Sequence, residues 1–84
     1  MGSREYDNLV NMLKDMNVSY HDLKTRKAGH YRFVDFHIEM KGDIQLNNVH
    51  QFCDTIEERL KREFSNLEVT IHVEPLQEKK NDSD

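Results

Sequence analysis

Residues 31–40 read YRFVDFHIEM and residues 67–74 read LEVTIHVE, and both segments alternate apolar with polar side chains. This period of two is typical of a strand with one face buried against a core. Between them, residues 46–64 place an apolar side chain at every third or fourth position, which predicts a long amphipathic helix. A strand, a helix and a strand in this order form a β-α-β unit. Its right-handed crossover makes the two strands parallel neighbours.

The segment before this unit adds one helix and one strand. Residues 4–16 carry apolar side chains at helical spacing, and Ser3 stands in the position of an N-cap. Residues 18–26 are compatible with a strand, and residues 27–30 provide a short turn that contains glycine. The strand and the turn predict a β-hairpin with residues 31–40.

The order α-β-β-α-β predicts an α+β fold of the ferredoxin-like or metallochaperone-like kind. It is a two-layer sandwich with a three-stranded mixed sheet and two helices on one face. We expect residues 1–3 to be a cloning remnant and residues 4–75 to form the domain. Residues 76–84 are polar, and we expect them to be a disordered tail.

Composition excludes several classes of protein. The chain has 84 residues and a net charge of −4, with 36% apolar and 33% charged residues, which fits one small soluble domain. It has no apolar run long enough for a membrane span, and its acidic balance argues against a nucleic-acid partner. No serine has a paired histidine and aspartate at a recognisable spacing, and no glycine-rich phosphate loop is present, so we do not expect an enzyme.

The histidines of the two parallel strands lie out of phase with the apolar side chains. His37 alternates with the core positions of its strand, and His72 and Glu74 alternate with those of theirs. Because the strands are expected to be neighbours, the three side chains should project together from the sheet face opposite the helices. Imidazole nitrogen and carboxylate oxygen suit zinc, or another first-row divalent metal such as Mn²⁺, Fe²⁺ or Co²⁺. This face is therefore a candidate metal site.

The first strand contributes a further histidine only in one of its two registers. His21 joins the same face if Ser19 and Leu23 lie there as well. Val18 and Tyr20 favour the opposite register, and a β-bulge would satisfy both.

The second helix carries a histidine and the single cysteine. His50 lies at the edge of the apolar stripe, one turn before Asp54, so the pattern favours a half-buried imidazole over a ligand. Cys53 lies in the middle of that stripe, which favours a buried and unreactive thiol.

Histidines on a strand also have ordinary interpretations. An imidazole that faces solvent is usually a polar surface group. Several at a dimer contact would make that contact sensitive to pH, because imidazole titrates at about pH 6.5.

Four segments carry a family resemblance. They are residues 21–29, HDLKTRKAG, residues 34–39, VDFHIE, residues 49–54, VHQFCD, with Ile56 and Glu57 after them, and residues 69–75, VTIHVEP. With these segments in this order, the chain resembles the cytoplasmic C-terminal domain of the cation diffusion facilitator family of metal transporters over about residues 6–75.

The resemblance implies a V-shaped homodimer on the cytoplasmic side of a membrane, as part of an integral membrane transporter. A transmembrane domain on the N-terminal side would export zinc or related ions, often in exchange for protons. Metal ions at the dimer contact would regulate that transport. The family's metal-binding positions match His21, His37, His50, His72 and Glu74, where Glu74 replaces the Asp of some members.

The alternative is a metal-independent homodimeric interaction or ligand-sensing module with the same ferredoxin-like fold. Tyr31 and Phe33 share the helix-free face with His37, and exposed aromatic side chains there favour burial against a second copy. A free-standing metallochaperone is less favoured, because Cys53 alone does not supply paired cysteines.

Overall fold

The computed structural model describes residues 2–40 and 45–75. In this part the chain folds in the predicted α-β-β-α-β order. The elements are α1, Ser3–Asp15, β1, Tyr20–Ala28, β2, Tyr31–Met40, α2, Leu46–Glu63, and β3, Leu67–Pro75. The polar tail after residue 75 lies outside the described residues, so its predicted disorder stays a prediction.

The sheet is mixed, as predicted. Its strand order is β1-β2-β3, with β1 antiparallel to β2 and β2 parallel to β3. The short hairpin turn requires the antiparallel pair, and the α2 crossover requires the parallel pair. The central strand β2 is therefore the only described strand with neighbours on both sides.

Both helices pack on one face of the sheet. The core joins α1, β2 and α2 through their fully buried side chains, which are Leu9, Leu13, Val34, Phe36, Ile38, Ile56 and Leu60. This face uses the even positions of β2, so the odd positions project from the opposite face. No helix of the described chain packs on that opposite face, which we call the open face.

Some boundaries differ from those predicted. Ser3 is the first residue of α1 and not its N-cap. Gly2 takes the cap position, and its N–H donates to Glu5 Oε1 at 3.4 Å. Strand β1 runs on to Ala28, because the turn needs only two residues, of which Gly29 has a φ of 61°. Leu46 opens α2 but is 70% exposed, since it precedes the part of the helix that reaches the core.

A single arginine joins three parts of the fold. Arg32 Nη2 donates to Glu5 Oε2 at 2.6 Å, and Arg32 Nη1 donates to the Ser65 carbonyl oxygen at 3.0 Å. The arginine on β2 thus holds both the start of α1 and the connection from α2 to β3. Its hydrogen bond is the main cause that lowers the pKa of Glu5 below the ordinary value.

This ion pair predicts a pH-dependent contribution to stability. A carboxyl group with a lowered pKa stabilises the fold when it is ionised, and that contribution is lost as the pH falls. We therefore expect Glu5→Gln to lower the melting temperature slightly, by at most a few degrees, at pH 7. The difference from wild type should shrink once the pH drops below 4.5, the ordinary pKa of glutamate. Thermal denaturation from pH 3 to 7 measures this, with Glu58→Gln on α2 as the control. A difference that grew on acidification would contradict the assignment.

No helix in residues 2–40 or 45–75 combines the length and the apolar character needed to cross a membrane.

Candidate metal centre

Three histidines form a row across the open face, one from each strand. The register pairs His21 with His37 on the antiparallel side and His37 with His72 on the parallel side. Neighbouring strands lie about 4.8 Å apart, which places side chains at the same level in contact. The rings are stacked, with centroids 5.3 Å apart for His21 and His37 and 4.5 Å apart for His37 and His72. The predicted convergence of His37 and His72 is confirmed.

Two carboxylates bind this row of imidazoles. Glu74 Oε2 lies 2.7 Å from His37 Nδ1, and Glu74 Oε1 lies 3.4 Å from His21 Nε2. Asp35 Oδ1 lies 3.3 Å from His72 Nε2. The contact of His37 with Glu74 is a hydrogen bond, and because a carboxylate only accepts, His37 Nδ1 carries the proton. In a neutral ring, the other nitrogen then keeps its lone pair for a metal.

A β-bulge brings His21 into the row. Pairing with β2 shifts between His21 and Lys24, where three steps along β1 match two steps along β2. Before the bulge, Tyr20 faces the core and contacts the Phe36 ring edge-to-face, with centroids 6.2 Å apart. After it, Leu23 packs against the core. The bulge thus puts His21 on the open face while Tyr20 and Leu23 stay on the core side, which is one of the alternatives that the conflicting patterns of β1 left open.

Several donor groups on this face lie close enough to share a metal ion. In each of three groups, one ligand atom from every member lies within 4.8 Å of the others. The groups are His21, Asp22 and His37, then Asp35, His37 and His72, and finally His21, Glu39 and Glu74. Each combines imidazole with carboxylate, which is the donor set that first-row divalent metals accept.

The fifth predicted ligand does not join these groups. His50 is exposed on α2, in the layer behind the sheet, so the expectation of a half-buried imidazole is wrong. The helix turns the edge of its apolar stripe to solvent at this point. Within the described residues, no donor group of one protomer contains His50. Its role as a ligand stays a prediction that rests on the family resemblance alone.

Three carboxylates of the donor groups, Asp22, Asp35 and Glu39, were not predicted as ligands from the sequence. Asp35 and Glu39 have the same phase on β2 as His37, and this period of two was the available signal. Asp22 had no such signal, because its position follows from the bulge.

The aromatic part of the open face is less exposed than expected. The Arg26 guanidinium lies over the Phe33 ring at 4.1 Å from its centroid, so the ring is half-buried. Tyr31 remains 52% exposed. A groove of about 470 Å³ lies beside the histidine row. Residues from all three strands line it, among them Lys24, Arg26, Phe33, Asp35, Glu68 and Thr70.

The cysteine is not part of the site. Cys53 is half-buried and packs against the core from α2. Burial raises the pKa of the Cys53 thiol, and the carboxylates of Asp54 and Glu57 raise it further. A high pKa disfavours the thiolate, in agreement with the predicted unreactive thiol, whereas the predicted burial of the side chain is only partial.

Comparison with known proteins places this chain in a family. Residues 4–76 match the model of the cytoplasmic domain of cation efflux proteins. The cation-efflux pump FieF of Shewanella oneidensis is 46% identical over 57 residues, which cover 68% of this chain and 19% of the pump. A transporter of Synechocystis is 34% identical over 67 residues, which cover 80% of this chain and 22% of that protein. The chain thus spans about a fifth of the length of these relatives.

Two solved structures share the fold. The zinc form of the zinc transporter CzrB superposes with a TM-score of 0.82 at 35% identity, covering 96% of each chain. The metal-bound C-terminal domain of the CzcD transporter from Thermotoga maritima gives a TM-score of 0.76 at 28% identity, covering 89% of this chain and 94% of that one. By its sequence match and its fold, the chain belongs to the family of cytoplasmic domains of cation efflux transporters.

Proposed function

We propose that this domain binds a divalent metal ion, zinc or a similar ion such as Mn²⁺, Fe²⁺ or Co²⁺, on its open face. His21, His37, His72 and Glu74 are the proposed ligands. Binding would join two copies of the domain and so regulate cation efflux by an attached membrane domain. The observation that carries the proposal is the row of three stacked imidazoles, whose central ring is hydrogen-bonded to the carboxylate of Glu74.

The donor chemistry supports metal binding. The imidazoles lie on neighbouring strands, so the sheet itself holds them in place and little side-chain entropy is lost on binding. Glu74 contacts two of the rings and so fixes their orientation. Carboxylates in the cluster also offset the charge of a divalent ion. The relatives point the same way, since CzrB was solved in a zinc form and the CzcD domain with metal bound.

The open face also favours a homodimer. The donor groups of one protomer hold three residues each, which leaves coordination positions for a second protomer. Tyr31 on the same face is exposed and would be buried by a second copy. A metal shared across such a contact favours the closed dimer only by the difference between its affinities for the closed and open states.

A metal-independent ligand-sensing or dimerisation module is the second candidate. The groove beside the histidine row favours it, because Lys24 and Arg26 supply positive charge next to the Phe33 ring. In this case a chelator would change neither the oligomeric state nor the thermal stability.

Zinc titration tests the proposal directly. A ligand that binds only the folded state at about one hundred times its Kd stabilises it by about 2.7 kcal/mol. For a domain of this size, that stabilisation raises the melting temperature by roughly 10 to 20 °C. We expect this rise with zinc, its reversal by chelator, and a shift from monomer to dimer in sedimentation. Calorimetry with no heat of zinc binding up to millimolar concentration would contradict metal binding. A dimer that persists with chelator would favour the second candidate.

A further inference from the structure

The geometry points to Asp22 as an additional metal ligand, which completes a site with His21 and His37 at the β1 bulge. This inference rests on the proposed metal binding and adds to it a residue and a donor type. One ligand atom from each of the three side chains lies within 4.8 Å of the other two. The site therefore needs no rearrangement of the strands.

The backbone at the bulge sets the position of this carboxylate. Asp22 has a φ of 54°, in the left-handed region that few residues with a side chain adopt. It is the residue inserted where the pairing of β1 with β2 shifts. In a regular strand it would point away from its neighbour His21. The bulge removes this alternation and lets both side chains reach the same ion.

Asp22 also differs from Glu74 and Asp35 in its contacts. Glu74 contacts His21 and His37, and Asp35 contacts His72. In the part of the chain that the structure describes, no histidine, lysine or arginine forms an ion pair with Asp22. Its side chain is exposed, so an ion can bind it without displacing a partner.

The remaining contacts orient the two imidazoles for this ion. Glu74 accepts a hydrogen bond from His37 Nδ1 at 2.7 Å. In the neutral ring, the lone pair that can bind a metal is therefore on Nε2. The same carboxylate also lies 3.4 Å from His21 Nε2, so one group contacts both rings of the site. Two imidazoles and one carboxylate form a three-ligand set that leaves positions open, as in many sites for zinc and iron. A ligand from a second copy or a water molecule would complete the coordination.

Asp22→Asn is the sharpest test. Asparagine adopts a positive φ as readily as aspartate, so the bulge is kept while the charged donor is lost. We expect zinc affinity, measured by calorimetry, to fall at least about tenfold. The visible absorption of bound Co²⁺ should change as well, because it reports the ligands of the ion. Asp22→Gly keeps the backbone geometry too and should reproduce the loss.

Asp54→Asn is the matched control. It removes the same charge from an exposed position on α2, in the layer behind the sheet, and should leave zinc affinity unchanged. Circular dichroism checks that every variant is folded. If wild type binds zinc and Asp22→Asn binds it equally well with the same Co²⁺ spectrum, the Asp22 assignment is wrong although the proposed function stands. If wild type binds neither metal, the proposed function itself has failed.

Discussion

His37→Ala is expected to remove most of the zinc-dependent stabilisation, with a loss of affinity of at least about a hundredfold. His37 is the central member of the row, because it stacks on both His21 and His72. It belongs to two of the three donor groups and binds Glu74 at 2.7 Å. Its removal therefore takes away a ligand and also releases the carboxylate and the neighbouring rings. The measurement is the rise in melting temperature at saturating zinc, together with calorimetry.

His30→Ala is the control for this prediction. It makes the same chemical change at an exposed residue of the hairpin turn, which is in none of the described donor groups. We expect its zinc affinity to equal that of wild type. The ring of His37 lies on the open face and outside the core, so the variant should still fold without metal. Equal zinc binding by both variants would exclude the histidine row as the site.

Phe36→Ala is expected to destabilise the domain by about 3–5 kcal/mol. Phe36 lies on the central strand with no exposed surface, and its ring contacts Tyr20 edge-to-face. Truncation leaves a cavity between the sheet and the helices and also removes the aromatic pair. A domain of 84 residues has a total stability of roughly 4–13 kcal/mol, so the loss is a large fraction of it. Urea denaturation followed by circular dichroism measures the change.

Phe33→Ala makes the same truncation on the same strand but on the opposite face. Phe33 is half-buried under the Arg26 guanidinium, so we expect a loss of about 1 kcal/mol or less. The contrast between the two variants tests the assignment of the two faces of β2. Similar losses would mean that the open face is covered as well as the core face.

Local patterns were enough to predict the architecture. The period of two in residues 31–40 identified β2 and its buried face, and the helical period of residues 46–64 identified α2. The crossover rule then made β3 parallel to β2, which the register confirms. His37 and His72 followed directly, because phase along a strand decides which face a side chain takes.

The position of His21 and Asp22 was not available from such patterns. Their strand carries two conflicting phases, and only the packing of Tyr20 and Leu23 against the core forces the inserted residue between them. Asp35 shows a related limit. Its phase was visible, but its contact with His72 depends on the alignment of two strands that are far apart in the chain.

The sequence by itself determined the element order, the helix-bearing face of the sheet and the imidazoles of β2 and β3, since each follows from hydrophobic periodicity within one segment. Tertiary structure alone decided that His21, His37 and His72 stand at one level, that a bulge adds Asp22 beside them, and that His50 is exposed. The physical reason is that strand register and bulges are set by the packing of distant residues against a shared core, which no local pattern contains.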